Sequence, residues 1–217
     1  MAQRLGGLHS VLRFAWAYSA FQSVVARGDS RRVFTTRYIR PRPGDRVVEV
    51  GCGPNPMLEY LEDVDYIGLD LEARYIESAR RRYGGRGKFI CGRAEDAAER
   101  LGGEADIVLG MALLHHLDDT QAHTFLRAAA GILKPHGRLI TIDPVRLPSQ
   151  HPVARLLIAL DRGQNIRARE QYVGLASRSF TEVDSCVHGD LLRVPYDHCM
   201  MVCSTRPSGM RMSNPLH

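Results

Sequence analysis

The chain is poor in several features that would narrow its class. It has five cysteines among 217 residues, an odd number, and no CxxC pair or Cys/His cluster with zinc-finger spacing. Cys52, Cys91, Cys186, Cys199 and Cys203 therefore read as free thiols, which suit a reducing cytosol. No metal site is expected. No long apolar run is free of interruption. The most apolar stretch, "LHSVLRFAWAYSAFQSVVA" near the N-terminus, is broken by His9, Arg13 and Gln22. That pattern disfavours a membrane span, and Arg13 sits badly inside a signal-peptide core. An amphipathic helix in a cytoplasmic protein is the better reading. Blocks of like charge are missing too. The net charge is only +5, and its arginines are scattered apart from short clusters such as Arg80-Arg81-Arg82. Such clusters read as solvated helix faces, so nucleic acid is not an expected partner. No internal repeat or low-complexity tract appears.

What remains is an ordinary globular composition, 44% hydrophobic and 24% charged, in a length that suits one domain with a small cap. Residues 8–27 and 30–40 read as helices, the second capped by Asp29 or Ser30, and "PRPGD" is a turn. Five apolar strands follow: "RVVEVG", "YIGLD", "KFICGRA", "ADIVLGM" and "RLITIDPV". They alternate with helices starting near Pro56, at "ARYIESARRRYGG", at "DAAERLGG" and across 119–137. Continuous apolar strands alternating with helices are the mark of a parallel sheet covered on both faces. After residue 145 come two helices, "HPVARLLIALDRG" and "AREQYVGLASRSF", then strands "DSCVHGDLL" and "YDHCMMVCS". The last two are joined too closely for a parallel crossover and must pair antiparallel. The expected fold class is α/β: a Rossmann-like, doubly wound, seven-stranded sheet with five parallel strands and a C-terminal antiparallel hairpin. The expected division is a helical N-terminal segment 1–40, a domain 41–205 and a loose tail 206–217.

The stretch "RVVEVGCGPNPML", residues 46–58, carries the chemistry. A strand ends in a glycine turn that feeds a helix, an arrangement that brings backbone N–H groups against a ligand. Dinucleotides need G-x-G-x-x-G; here Gly51 and Gly53 fit, but Pro56 stands at the third position. Glu49, two residues before the first glycine, suits a cationic ligand better than a pyrophosphate. S-adenosylmethionine, with a sulfonium, an ammonium and no phosphate, is such a ligand.

With "EVGCGPN", an acid closing "YIGLD", the "CGRAED" turn and "DIVLGMALLHHLDD" in order, residues 40–204 resemble the class I S-adenosylmethionine-dependent methyltransferases. Within that class they are similar to the small-molecule enzymes with a "GCGPG…LHHL" pattern. The resemblance implies that Glu49, Gly51, Cys52, Gly53 and Asn55 wrap the methionine end of S-adenosylmethionine. Asn55, in place of the commoner third glycine, tolerates a left-handed backbone and would keep the turn. Asp70 would take the ribose hydroxyls, with helix capping as its bland alternative, and Leu71 would lie beside adenine. Arg93, Ala94 and Glu95 would surround adenine, Arg93 standing where the family has an acid or amide, with Asp96 as another candidate. Gly110 and Met111 would face the sulfonium. The sequence lacks the N-P-P-Y type motif of enzymes that methylate base or glutamine nitrogens.

His115 is a candidate general base, since imidazole titrates near pH ~6.5; the alternative is that "LHHL" merely packs. Asp143, closing the fifth strand, either assists or caps the turn at Pro144. Substrate contacts are expected from Trp16 and Tyr18 in an aromatic wall with Phe14 and Phe21, unless these pack the helix. Arg162 and Arg167 with Arg169 could clamp an anion, unless Arg162 pairs with Asp161. Tyr196 and His198 would border the pocket. The expected activity is methyl transfer to a small-molecule substrate, with oxygen the favoured acceptor. The alternatives are a non-catalytic methyltransferase-like protein and, more remotely, a nicotinamide-dependent oxidoreductase.

Overall fold

A computed structural model describes residues 30–160, 165–189 and 195–205. The expected helix 8–27, its Trp16 and Tyr18, Arg162 and the 206–217 tail lie outside these residues. The sheet runs through Arg46–Val50 (β1), Asp65–Asp70 (β2), Gly87–Cys91 (β3), Ala105–Met111 (β4) and Leu133–Arg146 (β5), followed by Arg167–Ala168 (β6), Glu182–His188 (β7) and His198–Ser204 (β8). Its order is β3-β2-β1-β4-β5-β8-β7, with β6 paired to β5 off that path. The first five strands are parallel, and β8 pairs antiparallel with both β5 and β7. The seven-stranded α/β reading holds, with the two-residue β6 as an addition.

The helices are Ser30–Phe34 (α1), Ala73–Tyr83 (α2), Ala94–Leu101 (α3), Asp119–Ile132 (α4), Pro152–Leu160 (α5) and Arg169–Ala176 (α6). Alternation along β1 sends Val48 and Val50 into a core shared with α3, α4 and α6, and Val47 into a second core shared with α1 and α2. Both faces are thus covered, as the apolar strands require.

Two helices differ from expectation. The one foreseen at Pro56 is a single 3-10 turn, Met57–Tyr60. Only residues 51–64 separate β1 from β2, and the glycine loop consumes the first six of them. The helix foreseen over 119–137 ends at Ile132, where Leu133 takes an extended backbone and pairs with Ala105 of β4. Asp118 starts this helix with a reciprocal cap: its carboxylate accepts from Gln121 N at 2.8 Å, and its own N–H donates to Gln121 Oε1 at 3.1 Å.

Because β2 and β3 lie on one side of β1, and β4 and β5 on the other, the chain reverses its direction of winding between β1 and β4. Crevices at the carboxyl ends of strands beside such a reversal are where open α/β sheets bind ligands. Gly51 and Gly53, at φ +72° and +57°, turn the chain there.

Candidate functional site

The carboxyl ends of β1, β2 and β3 and the start of α4 enclose a cleft of about 330 Å³. That is the lower end of the range for small-molecule pockets. The loop beside it is built around Asp70. Gly51 and Cys52 both donate their N–H to Leu69 O, at 2.8 and 2.9 Å, which folds the loop onto the end of β2. Asp70 Oδ2 then accepts from Gly53 N at 2.9 Å and Oδ1 from Glu72 N at 2.8 Å. A carboxylate has about four acceptor positions, so this one retains roughly two, one per oxygen. Two adjacent hydroxyls on a ligand in the cleft would match them. The capping alternative does not hold, since Glu72 is the N-cap of α2 and no side chain caps it; Asp70 organises the turn and faces the cleft.

Gly51, Asp70, Leu71, Arg93, Ala94 and Glu95 line this cleft. Leu71 is 69% exposed and offers an unoccupied apolar face. Arg93 caps α3, its N–H donating to Asp96 Oδ2 at 3.1 Å, so Asp96 serves the helix and Glu95 is the acid left at the cleft wall. Glu49, Cys52, Gly53, Asn55, Gly110 and Met111 do not line it.

Glu49 lies beneath the loop, 2% exposed, accepting a hydrogen bond from Met57 N at 2.8 Å and a short one from the Tyr66 hydroxyl. It braces the loop instead of lining the cleft. Burial away from water pushes its carboxyl up to about 7, against the lowering effect of those two donors. Asn55 is also corrected: its φ is not positive, and its place is held by Arg31 donating to its carbonyl and Arg82 to its Oδ1, both at 3.1 Å. Gly110 has a packing role, because a Cβ there would lie 2.9 Å from Phe125 Cζ.

The cleft wall that sequence reasoning missed comes from α4 and the turn before it: Leu113, Leu117, Thr120, Gln121, Thr124 and Phe125. Thr120, Gln121 and Thr124 stand three and four residues apart on one helical face, a polar stripe that the sequence did contain.

The loop that supplies Leu113 and Leu117 also carries His115. It leaves β4 through Ala112, whose φ of +50° is unusual for a residue with a side chain. His115 is 3% exposed, and Asp143, 1% exposed, closes on it from β5. Asp143 Oδ1 accepts from the His115 backbone N–H at 3.0 Å and lies 2.8 Å from His115 Nδ1. Where Nδ1 donates to Asp143, Nε2 is left as the basic nitrogen of the ring. Asp143 Oδ2 is buried without a hydrogen-bond partner among the described residues. A histidine oriented in this way by a buried acid can take a proton from an acidic group.

Arg167, expected at the substrate, is buried and spent on the protein: its contacts to Leu114 O, Leu117 O, Asn165 O and Asp119 occupy every guanidinium hydrogen. Tyr196 is 5% exposed, and its ring meets His198 edge-on at 5.1 Å instead of lining the cleft. Burial holds His198 neutral, with its pKa pushed down to about 4. Among the described residues no group of three His, Cys, Asp or Glu side chains could hold a metal, and no helix is long and apolar enough to cross a membrane.

Residues 47–137 match the family model described as "Methyltransferase domain". The match begins in β1, takes in the glycine loop, Asp70 and His115, and ends within β5 before Asp143. Two curated proteins are similar over part of the chain, both named ubiquinone biosynthesis O-methyltransferase. The one from Erwinia tasmaniensis is 30% identical over 101 residues, 44% of this chain and 41% of that protein. The one from Thiobacillus denitrificans is 32% identical over 102 residues, 45% of this chain and 43% of that protein. The chain therefore spans less than half the length of these relatives. Among solved structures, the S-adenosylmethionine-dependent methyltransferase SibL in its apo form superposes with a TM-score of 0.70 at 18% identity, over 93% of this chain and 60% of that one. At that identity the likeness shows the fold.

Proposed function

We propose that the chain is an S-adenosylmethionine-dependent methyltransferase whose acceptor is a hydroxyl on a small molecule. The methyltransferase-domain match over residues 47–137 and the geometry of Asp70 support the first half. The residues at the cleft fit the ligand. Asp70 has acceptor positions for a ribose diol, Leu71 and Ala94 offer apolar surface to a flat base, and Glu95 offers an acceptor for its amino group. When bound, S-adenosylmethionine supplies an electrophilic methyl group on a sulfonium leaving group. Glu49 serves this site indirectly, through the loop it braces.

The observation that carries the second half is the His115 Nδ1 to Asp143 Oδ1 distance of 2.8 Å in a buried setting. An acceptor hydroxyl must lose its proton as its oxygen bonds to the methyl carbon. His115 Nε2 takes that proton, and Asp143 stabilises the imidazolium that results. The electron pair of the breaking carbon–sulfur bond stays on sulfur. A thiolate or a free amine would need no such base before attack. The names of the two partial relatives agree with an oxygen acceptor.

The test is transfer of labelled methyl from S-adenosylmethionine to catechol, set against aniline and a thiophenol. The expected result is an aryl methyl ether, with His115→Gln lowering kcat by about 10²–10⁴ at little change in cofactor affinity. Transfer to the amine alone, at a rate His115→Gln leaves unchanged, would overturn the hydroxyl reading.

A further inference from the structure

The chain between β5 and α6 returns to the His115 loop through one short stretch. Arg167 is 6% exposed, and each of its five N–H groups has an acceptor. Nε and Nη2 donate to Asp119 Oδ1 at 3.0 and 2.7 Å. Nη1 donates to Leu114 O at 2.9 Å and Asn165 O at 3.0 Å, and Nη2 to Leu117 O at 2.8 Å. Asn165 N donates to His115 O at 3.0 Å. The carbonyls of residues 114, 115 and 117 are therefore all held from residues 165–167, while Asp143 holds the N–H and Nδ1 of His115 from the opposite side.

A second contact ties the acid to the same brace. The Tyr172 ring lies 5.8 Å from the Arg167 guanidinium carbon, and its hydroxyl donates to Pro144 O at 3.0 Å, one residue beyond Asp143. The guanidinium fork suits this task because it is planar and reaches several acceptors at fixed angles, which an ammonium cannot do.

We propose that Arg167 is a positioning residue for the His115–Asp143 pair. It fixes the backbone on both sides of His115 so that the imidazole keeps its Nδ1 on Asp143. The role rests on the reading of His115 as the base. It also makes base placement depend on residues 165–167; because Arg167 holds the carbonyl of Leu117, a cleft residue, the His115 spectrum is the readout that isolates the brace. Small displacements of reacting groups are costly, about 10²-fold for 1 Å.

The experiment uses the full chain and two readouts. The first is the imidazole ¹⁵N spectrum of His115, assigned by its loss in His115→Gln, which reports the tautomer without turnover. The second is catechol methylation across pH. Arg167→Lys keeps the charge but loses the fork. It is expected to show mixed or exchange-broadened His115 tautomers and a kcat lowered about tenfold or more. Low-millimolar guanidinium is expected to restore part of the rate in Arg167→Ala. An unchanged tautomer with kcat within about twofold of the parent in both variants would overturn the proposal. Should neither variant fold, Asp119→Ala, which removes the acceptor of Nε and Nη2, decides. Its side chain is 80% exposed, so the change spares the core. A shifted His115 signal there supports the brace, and an identical spectrum refutes it. If the parent chain itself never methylates catechol, the spectrum still tests the bracing, and only the reading of catechol chemistry fails.

Discussion

Replacing Glu49 with glutamine changes the pH dependence of stability in a way the structure specifies. In the unfolded chain the carboxyl titrates near its ordinary value of 4.5; in the fold, burial raises it to about 7. The folded state therefore binds this proton more tightly. Stability from this group is fully present below pH ~4.5 and is lost as pH rises toward 7. The loss over that window is about 3 kcal/mol, from roughly 2.5 pH units at 1.36 kcal/mol each. His198 runs the other way. Its folded value of about 4 lies below the ordinary imidazole value of 6.5, so its contribution is present above 6.5 and lost as pH falls to 4. The windows overlap and the slopes oppose, so these two contributions largely cancel between about pH 4.5 and 6.5.

Glu49→Gln keeps an acceptor for Met57 N and the Tyr66 hydroxyl while removing the titration. Its buried amide hydrogens carry a cost of about 1–3 kcal/mol, but that cost does not vary with pH. The informative quantity is thus the change in the stability difference between variant and parent. Urea unfolding at pH 4.5, 6 and 8 measures it. The variant should gain on the parent by about 3 kcal/mol from pH 4.5 to 8 and should show the acid-side loss that Glu49 masks in the parent. A difference constant across that range would refute the assignment of a neutral, buried Glu49 in the fold.

Other predictions concern the cleft and its approach. Asp70→Ala removes the acceptor that ties Gly53 and Glu72 and faces the cleft. S-adenosylhomocysteine affinity should fall by about 1–3 kcal/mol, measured by calorimetry, and an unchanged Kd would remove Asp70 from the site. Gly110→Ala places a Cβ 2.9 Å from Phe125 Cζ. Displacing that buried ring, a wall of the cleft, should cost about 1–3 kcal/mol of stability and weaken ligand binding together. Ala112→Gly relieves a left-handed residue at φ +50°. The relief of about 1–2 kcal/mol is partly offset by the freer unfolded chain, so chemical denaturation should show a net gain below about 1 kcal/mol.

The sheet could be read from the chain because parallel strands buried on both faces leave long apolar runs, as in "RVVEV" and "ADIVLG". The Asp70 position could be read for a related reason: strand ends beside a glycine turn sit at a fixed place in such sheets. Arg167 could not. Most of its acceptors are backbone carbonyls, at positions 114, 117 and 165, which leave no trace in residue type. The His115–Asp143 contact joins residues 28 apart from different strand ends, so His115 could be read as a candidate base and Asp143 as an assisting or capping residue, but not as partners. The helix expected at Pro56 failed for want of chain. An apolar pattern with a proline start was present, but too few residues remained before β2 to complete it.

The measurement that bears most directly on the account is a calorimetric titration of the full chain with S-adenosylmethionine and with S-adenosylhomocysteine, repeated on Asp70→Ala. Saturable binding of both ligands to one site per chain in the micromolar range, weakened in the variant, is the expected result. No heat with either ligand at millimolar concentration, or equal affinity in parent and variant, would contradict it.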